Sequence, residues 1–214
     1  VGIAFDGDGD RVHMVDAKGN LINGDGVLFI IAMDRYLQNK LHGGVVGTLM
    51  TNMGLEVKFQ DVGIPFVRTD VGDRYVLSSL KEKSWLIGGE TSGHIVCLDR
   101  TTTGDGIIAA LQVLARMVRE QKPLEDLTKE VELYPQILFN YQTNTASQLL
   151  KQIEFVECIR EIEAQLQGKG RVLVRASGTE PVLRILFEGP DAQQLQRQQQ
   201  SLENFLCHAS IDQV

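Results

Sequence analysis

Three aspartates stand at alternate positions near the start of the chain: Asp6, Asp8 and Asp10, in the run DGDGDR that follows the apolar stretch VGIAF. Carboxylates spaced this way around glycine can turn their oxygens toward one point, because glycine tolerates the backbone angles of a tight loop. Like charges a few ångströms apart raise each other's pKa, and a hard cation bound by oxygen ligands removes that penalty. A second stretch, GGETSGH at 88–94, offers Glu90 as an acceptor for two neighbouring hydroxyls and Ser92 as donor or acceptor. A third, RASGTEPVLR at 175–184, places Arg175 and Arg184 where two guanidinium forks can meet phosphate oxygens. Ser177, Thr179 and the backbone N–H groups around Gly178 can complete an anion-binding concavity there.

Each stretch has a plainer reading. The aspartates could be a polar turn after a strand, GGETSGH a β-turn with His94 opening the next strand, and RASGTEPVLR a hairpin with an exposed salt bridge. An EF-hand does not fit: counting from Asp6, Arg11 falls at the sixth position, where glycine is required, and Ala17 at the twelfth, where a bidentate Glu is required. A phosphatase of the haloacid-dehalogenase type also opens with an apolar strand and D-x-D, here Asp6 and Asp8. It usually carries Thr or Val where this chain has Asp10, and its lysine motif is not evident downstream, although Asp105 in TGDG could imitate its later acid.

The elements that must position these residues are legible as alternating patterns. VHMVDAKGNLI reads as a hairpin turning at Lys18–Gly19–Asn20. Helical spacing in GVLFIIAMDRYLQN marks Val27, Ile30, Ile31, Met33 and Leu37, and in IIAALQVLARMVRE it puts Ile108, Leu111, Leu114, Ala115 and Val118 on one expected apolar face. Between them, GGVVGTLMT, IPFVRT, WLIGGE and HIVCLD read as strands, separated by helices at NMGLEVKFQDVG and GDRYVLSSLKEK. This order predicts an α/β fold with a largely parallel sheet over about 21–130. After a hinge near Tyr134–Pro135 the pattern changes to a small α+β unit. A strand, QILFNYQT, leads to Thr145 and Gln148, which offer a capping box; two strands flank GTE; and a Gln-rich helix from Asp191 keeps Leu195, Leu202 and Leu206 on one face.

Bulk properties limit the partners. The chain has 214 residues, 43% hydrophobic, and a formal net charge of −7, which disfavours nucleic-acid binding because phosphate-backbone affinity comes from clustered Lys and Arg. Three widely spaced cysteines, Cys97, Cys158 and Cys207, predict neither a disulfide framework nor a zinc site and point to the reducing cytoplasm. No apolar run approaches the roughly 18–20 residues needed to cross a membrane, so no membrane partner is expected. The first residue is Val1 within a strand-like run, which suggests a piece of a longer chain.

DGDGDR matches at every position the metal loop of the α-D-phosphohexomutase superfamily. GGETSGH resembles that superfamily's sugar loop, G-E-x-S-G-H, and RASGTEPVLR its phosphate loop, R-x-S-G-T-E-P-x-x-R. VGDRYV (71–76) and TTTGDGI (101–107) resemble its bacterial glucosamine-phosphate branch. The resemblance, which covers essentially the whole chain, implies a four-domain enzyme. Such an enzyme interconverts glucosamine 6-phosphate and glucosamine 1-phosphate through a phosphoserine and a 1,6-bisphosphate. It further implies Mg²⁺ on Asp6, Asp8 and Asp10, with Arg11 steadying the phosphoserine or the reacting hydroxyl. Glu90, Ser92 and His94 would bind the sugar, and Arg175, Ser177, Gly178, Thr179 and Arg184 the distal phosphate.

Some relatives carry Lys-x-Gly-His where this chain has Asp70-Val71-Gly72-Asp73, so a role for that lysine does not carry over; Arg74 is the nearby cation, and Asp70 also reads as a helix N-terminal acid. On this reading residues 1–20 end a second domain, 21–133 form a mixed α/β sugar-binding domain three, and 134–214 form an α+β phosphate-binding domain four. The N-terminal domains of the same polypeptide, with the reactive serine, would then lie outside this sequence, and the 214 residues alone would not turn over. A phosphomannomutase/phosphoglucomutase of the same superfamily, a phosphatase and a non-catalytic sugar-phosphate-binding module stay open, as does a homodimer.

Overall fold

The computed structural model describes residues 1–177 and 180–211, with side chains to residue 207. It divides into two compact units, Val1–Leu133 and Tyr134–Val214.

In the first unit, β1 (Gly2–Phe5), β2 (Val12–Val15) and β3 (Leu21–Ile22) form an antiparallel sheet in that order. The second sheet runs β5 (Phe66–Thr69), β4 (Val45–Thr48), β6 (Ile87–Gly89), β7 (Ile95–Cys97). Strand β4 pairs in parallel with both β5 and β6, whereas β6 and β7 are antiparallel. Parallel neighbours need crossovers. Helix α2 (Met53–Asp61) links β4 to β5, and α3 (Asp73–Lys83) links β5 to β6. All four residues of β4 are buried, as expected of a strand covered on both faces. The largely parallel α/β layer anticipated from the alternation is therefore what forms.

Helix α1 (Gly24–Leu37) runs through the core of this unit and packs on α4 (Gly106–Glu120), β6 and β2. Val27, Leu28, Phe29, Ile30, Ile31 and Ala32 are all essentially inaccessible, so α1 is buried all round rather than on one stripe. Leu37, expected on that stripe, is exposed at the helix end.

Helix α4 corrects the expected face. Its buried positions are Gly106, Ala109, Ala110, Val113 and Arg116, while Leu111 and Val118 are exposed. Apolar residues surround this helix, and spacing alone does not choose between its two stripes. The small Ala109 and Ala110 let α4 approach its neighbours closely. Arg116, wholly buried, donates to Glu120 Oε1 (2.7 Å), Glu130 Oε2 (2.6 Å) and the Ile30 carbonyl (3.3 Å). Helix α5 (Leu124–Thr128) closes the unit with Leu124 and Leu127 inside. The Cys97 thiol is buried and pushed up to about 12, chiefly by burial and further by Asp99, which makes it a packing group.

The second unit is an antiparallel sheet ordered β8 (Gln136–Gln142), β10 (Val182–Glu188), β9 (Arg171–Ala176), with α6 (Ala146–Leu149), α7 (Ile153–Gln165) and α8 (Ala192–Ile211). Strand β8 alternates in exposure, the mark of a sheet with one wet face. Phe155, Ile162, Ile185 and Phe187 pack with Leu195, Leu202 and Leu206, the three leucines that the Gln-rich segment keeps at helical spacing. The capping box expected at Thr145 does not form: α6 has no side-chain cap, and the Thr145 hydroxyl instead meets the Thr143 hydroxyl at 3.0 Å. Among the described residues, no helix is long and apolar enough to cross a membrane.

Candidate functional site

The aspartate loop spans the β1–β2 hairpin, whose last pair before the loop is Phe5 with Val12. Gly9 adopts a positive φ of 75°, and its N–H closes on the Asp6 carbonyl at 3.3 Å. One carboxylate oxygen from each of Asp6, Asp8 and Asp10 lies within 4.8 Å of the others. Asp6 Oδ1 accepts the Arg11 N–H at 3.2 Å. The other Asp6 oxygen, Oδ2, and Asp10 Oδ1 are shielded from water and have no hydrogen bond; the Arg11 guanidinium Nε faces them at 2.7 and 3.5 Å. Loss of water contacts pushes the Asp6 carboxyl up, but the Arg11 N–H and the Arg11 charge, with contributions from the neighbouring Asp10 and Asp8, outweigh it, leaving the group below its ordinary value. Arg11 is raised in turn, mainly by Asp6. Converging oxygens without hydrogen bonds, next to one balancing cation, suit a hard divalent ion with oxygen ligands.

Two other loops grip this one. The Gly106 N–H donates to the Gly9 carbonyl (3.0 Å), and the Val12 N–H donates to the Gly93 carbonyl (3.1 Å). These approaches exclude side chains: a Cβ on Gly106 would stand 2.8 Å from the Arg11 carbonyl oxygen, and one on Gly93 2.3 Å from that of Val12. His94 bridges to Arg11 through the backbone, and its Nδ1 lies 3.0 Å from Asp10 Oδ2. His94, expected with the sugar, is only 5% exposed, and its ring is held against the aspartate loop.

The GGETSGH segment is the β6–β7 turn, closed by Gly93 N–H to the Glu90 carbonyl (2.9 Å) and Glu90 N–H to the His94 carbonyl (3.0 Å). Gly24, at the start of α1, donates its N–H to the Thr91 carbonyl, and a Cβ on it would stand 2.0 Å from the Glu90 carbonyl oxygen. The Thr91 hydroxyl donates to Asp25 Oδ1 (3.0 Å), and Asp25 Oδ2 accepts the Asn52 N–H (3.0 Å) at the cap of α2. Glu90 Oε1 accepts the Gly72 N–H at 2.9 Å, which brings the 70–74 loop to the GGETSGH turn. Ser92 is exposed. Arg74 is exposed and stacks on the Tyr75 ring 4.5 Å away. The acid in the first turn of α3 is Asp73, not Asp70, because the cap falls at Gly72. Gly24, Asp25 and Asn52 thus build the site without having been singled out from the sequence, whereas Gly72 and Gly106 fall within the marked stretches VGDRYV and TTTGDGI.

In the second unit, Arg175 and Arg184 are directly opposed across β9 and β10. Opposed like charges on neighbouring strands destabilise a sheet unless an anion joins them. Glu180 Oε2 lies 2.6 Å from Arg184, the salt bridge of the plainer reading, and Arg175 is exposed. The Ser177 N–H is used by the Val182 carbonyl (2.8 Å). Gly178 and Thr179 lie outside the described residues.

Comparison with known proteins places these features in a family. Residues 23–134 match the model of the phosphoglucomutase/phosphomannomutase alpha/beta/alpha domain III, and residues 109–204 that of the phosphoglucomutase/phosphomannomutase C-terminal domain. The chain is 55% identical over 202 residues to a phosphoglucosamine mutase of Legionella pneumophila (strain Corby), covering 94% of this chain and 44% of that protein. The chain therefore spans less than half the length of the curated relatives it matches. A crystal structure of N-acetylglucosamine-phosphate mutase in a product complex superposes with a TM-score of 0.76 at 21% identity, over 95% of this chain and 48% of that one. The Aspergillus fumigatus N-acetylphosphoglucosamine mutase, solved with GlcNAc-6P and magnesium, gives 0.72 at 20% identity over 92% and 46%. These two structures share the fold.

Proposed function

The chain belongs to the phosphoglucomutase/phosphomannomutase family, and we propose that it is the sugar- and phosphate-binding part of a phosphoglucosamine mutase. The observation that carries this reading is the 55% identity to the Legionella enzyme over 202 residues, 94% of the chain. The proposed reaction passes the phosphoryl group of a phosphoserine to O1 of glucosamine 6-phosphate. The 1,6-bisphosphate then reorients, and its O6 phosphoryl group returns to serine. That serine would be supplied by sequence outside these 214 residues.

Asp6, Asp8 and Asp10 are the residues that would hold Mg²⁺, and their clustered carboxylates, with Asp6 Oδ2 and Asp10 Oδ1 free of hydrogen bonds, fit it. When bound, the ion neutralises charge on the transferring phosphoryl group. Arg11, already beside Asp6 and Asp10, would add positive charge at the same place. Glu90 has one oxygen on Gly72, which leaves Oε2 for sugar hydroxyls, with Ser92 exposed beside it. Arg175 and Arg184 would take the distal phosphate, with Glu180 yielding Arg184 to it, and Ser177, Gly178 and Thr179 would line the same loop. Arg74 would supply positive charge beside the sugar loop. Binding at the distal phosphate positions the reacting end, and it can serve both orientations of the bisphosphate. In this scheme residues 1–20 belong to a metal-loop segment, 21–133 to the sugar domain and 134–214 to the phosphate domain.

The test is ³¹P NMR with Mg²⁺, glucosamine 6-phosphate and a trace of the 1,6-bisphosphate. The full-length protein should produce a 1-phosphate signal that disappears in Asp8→Ala, and the 214-residue chain should produce none. Inorganic phosphate as the product would replace the mutase with a phosphatase. A 1-phosphate signal from the chain alone would overturn its proposed dependence on an outside serine.

A further inference from the structure

We propose that His94 is a positioning residue for the cation: it fixes one oxygen of Asp10 so that the other is presented to the metal. The proposal rests on the reading of Asp6, Asp8 and Asp10 as metal ligands, and it does not depend on which sugar the enzyme takes.

Asp6 and Asp10 share one arrangement. In each, a single oxygen is anchored by a fixed N–H donor and the other is left without a hydrogen bond, shielded from water. For Asp6 the anchor is the Arg11 backbone N–H on Oδ1, which leaves Oδ2. For Asp10 the anchor is His94 Nδ1 on Oδ2 at 3.0 Å, which leaves Oδ1. A carboxylate only accepts, so the ring hydrogen in this bond sits on Nδ1.

The ring itself has little room to turn. It is 5% exposed, and Gly104 lies against its far side: a Cβ there would stand 2.2 Å from Nε2 and 2.3 Å from Cε1. Its backbone bridges to Arg11, and its carbonyl accepts the Glu90 N–H at 3.0 Å. One residue therefore joins the turn that carries Glu90 to the loop that carries the metal ligands. Loss of a partner that orients a metal ligand typically costs about 10- to 100-fold in metal affinity or activity.

The experiment measures Mn²⁺ binding to the chain by loss of the free-ion EPR signal, with far-UV circular dichroism as the check on folding. His94→Asn puts an amide N–H where Nδ1 stands, whereas His94→Gln puts one where Nε2 stands. The asparagine variant should bind Mn²⁺ within about threefold of the wild type, and the glutamine variant should weaken binding by about 10- to 100-fold. A merely structural role would move both variants together, so equal affinities for the two, or a glutamine variant as tight as the wild type, would overturn the proposal. Should the glutamine variant fail to fold, Gly104→Ala decides: it keeps the imidazole but displaces it, and unchanged Mn²⁺ affinity in a folded Gly104→Ala protein would also overturn it. A wild-type chain that takes up no Mn²⁺ would sink the metal reading itself and this inference with it. A negative result confined to the variants leaves the metal reading intact.

Discussion

Asp25 carries no motif, yet it ties the GGETSGH turn to the start of α2. Its two oxygens accept the Asn52 N–H and the Thr91 hydroxyl, both at 3.0 Å, and it is 1% exposed. A buried N–H that loses its acceptor keeps its desolvation cost, and bonds to a charged acceptor are the stronger kind, so the loss is about 1.5–3 kcal/mol. Asp25→Ala is expected to lower the stability of the first unit by about that much in urea unfolding followed through Trp85, the only tryptophan of the chain. A change within about 0.5 kcal/mol, typical of surface positions, would show that water replaces the carboxylate. The sequence hid this residue for a simple reason. An acid in the first helical turn is already explained by the helix dipole, and Asp25 finds its partners 27 and 66 positions away. Glu90 and the three aspartates were legible because glycines and neighbouring polar groups crowd them into short, unusual runs. His94 was found with them, but its partner Asp10 is 84 positions away, and no local pattern says which loop the ring faces.

At the scale of elements, the strand and helix order was legible and the orientation of one helix was not. Val-rich runs between helical segments encode the parallel crossovers directly. Helix α4 is different, because two apolar stripes compete and the buried one contains an arginine. Its burial is tolerable because Glu120 and Glu130 pair with it at 2.7 and 2.6 Å. Removing one partner of a buried charge group costs about 3–5 kcal/mol, and the partial exposure of both glutamates trims this. Arg116→Ala should therefore destabilise the chain by about 2–4 kcal/mol, while Leu111→Ala, on the face that spacing favoured, should change stability by about 0.5 kcal/mol or less. Urea midpoints at constant slope would check both, and a reversed order would mean that α4 packs by its larger residues after all. The Thr145 box shows the same limit on a smaller scale. The T-A-S-Q pattern is present, but the Thr143 hydroxyl two residues earlier engages the Thr145 side chain. The opposition of Arg175 and Arg184 follows from the β9–β10 register, which the sequence alone did not supply.

For the molecule as a whole, the proposed chemistry is divided between units that each have a core of their own. The three aspartates and Glu90 lie in the first, and the opposed arginines lie in the second. The formal charge of −7 is therefore no obstacle to anion recognition, because the cationic groups that would meet phosphate, Arg175 and Arg184, stand together on β9 and β10 of the second unit. This division makes a prediction about linkage. A ligand that binds only the folded form stabilises it by RT ln(1 + [L]/Kd), about 2.7 kcal/mol at one hundred times Kd. Trp85 lies in the unit that holds the aspartates, so its fluorescence should report that gain as an upward shift of the unfolding transition when Mg²⁺ is added. Asp8→Ala should abolish the shift. Asp8 is the most exposed of the three carboxylates, so its loss removes a ligand without opening the core. A shift that survives in Asp8→Ala would assign the Mg²⁺ effect to general screening of the acidic surface. The absence of any shift at saturating Mg²⁺ would mean that Arg11, already lodged against Asp6 and Asp10, satisfies the cluster better than the ion does.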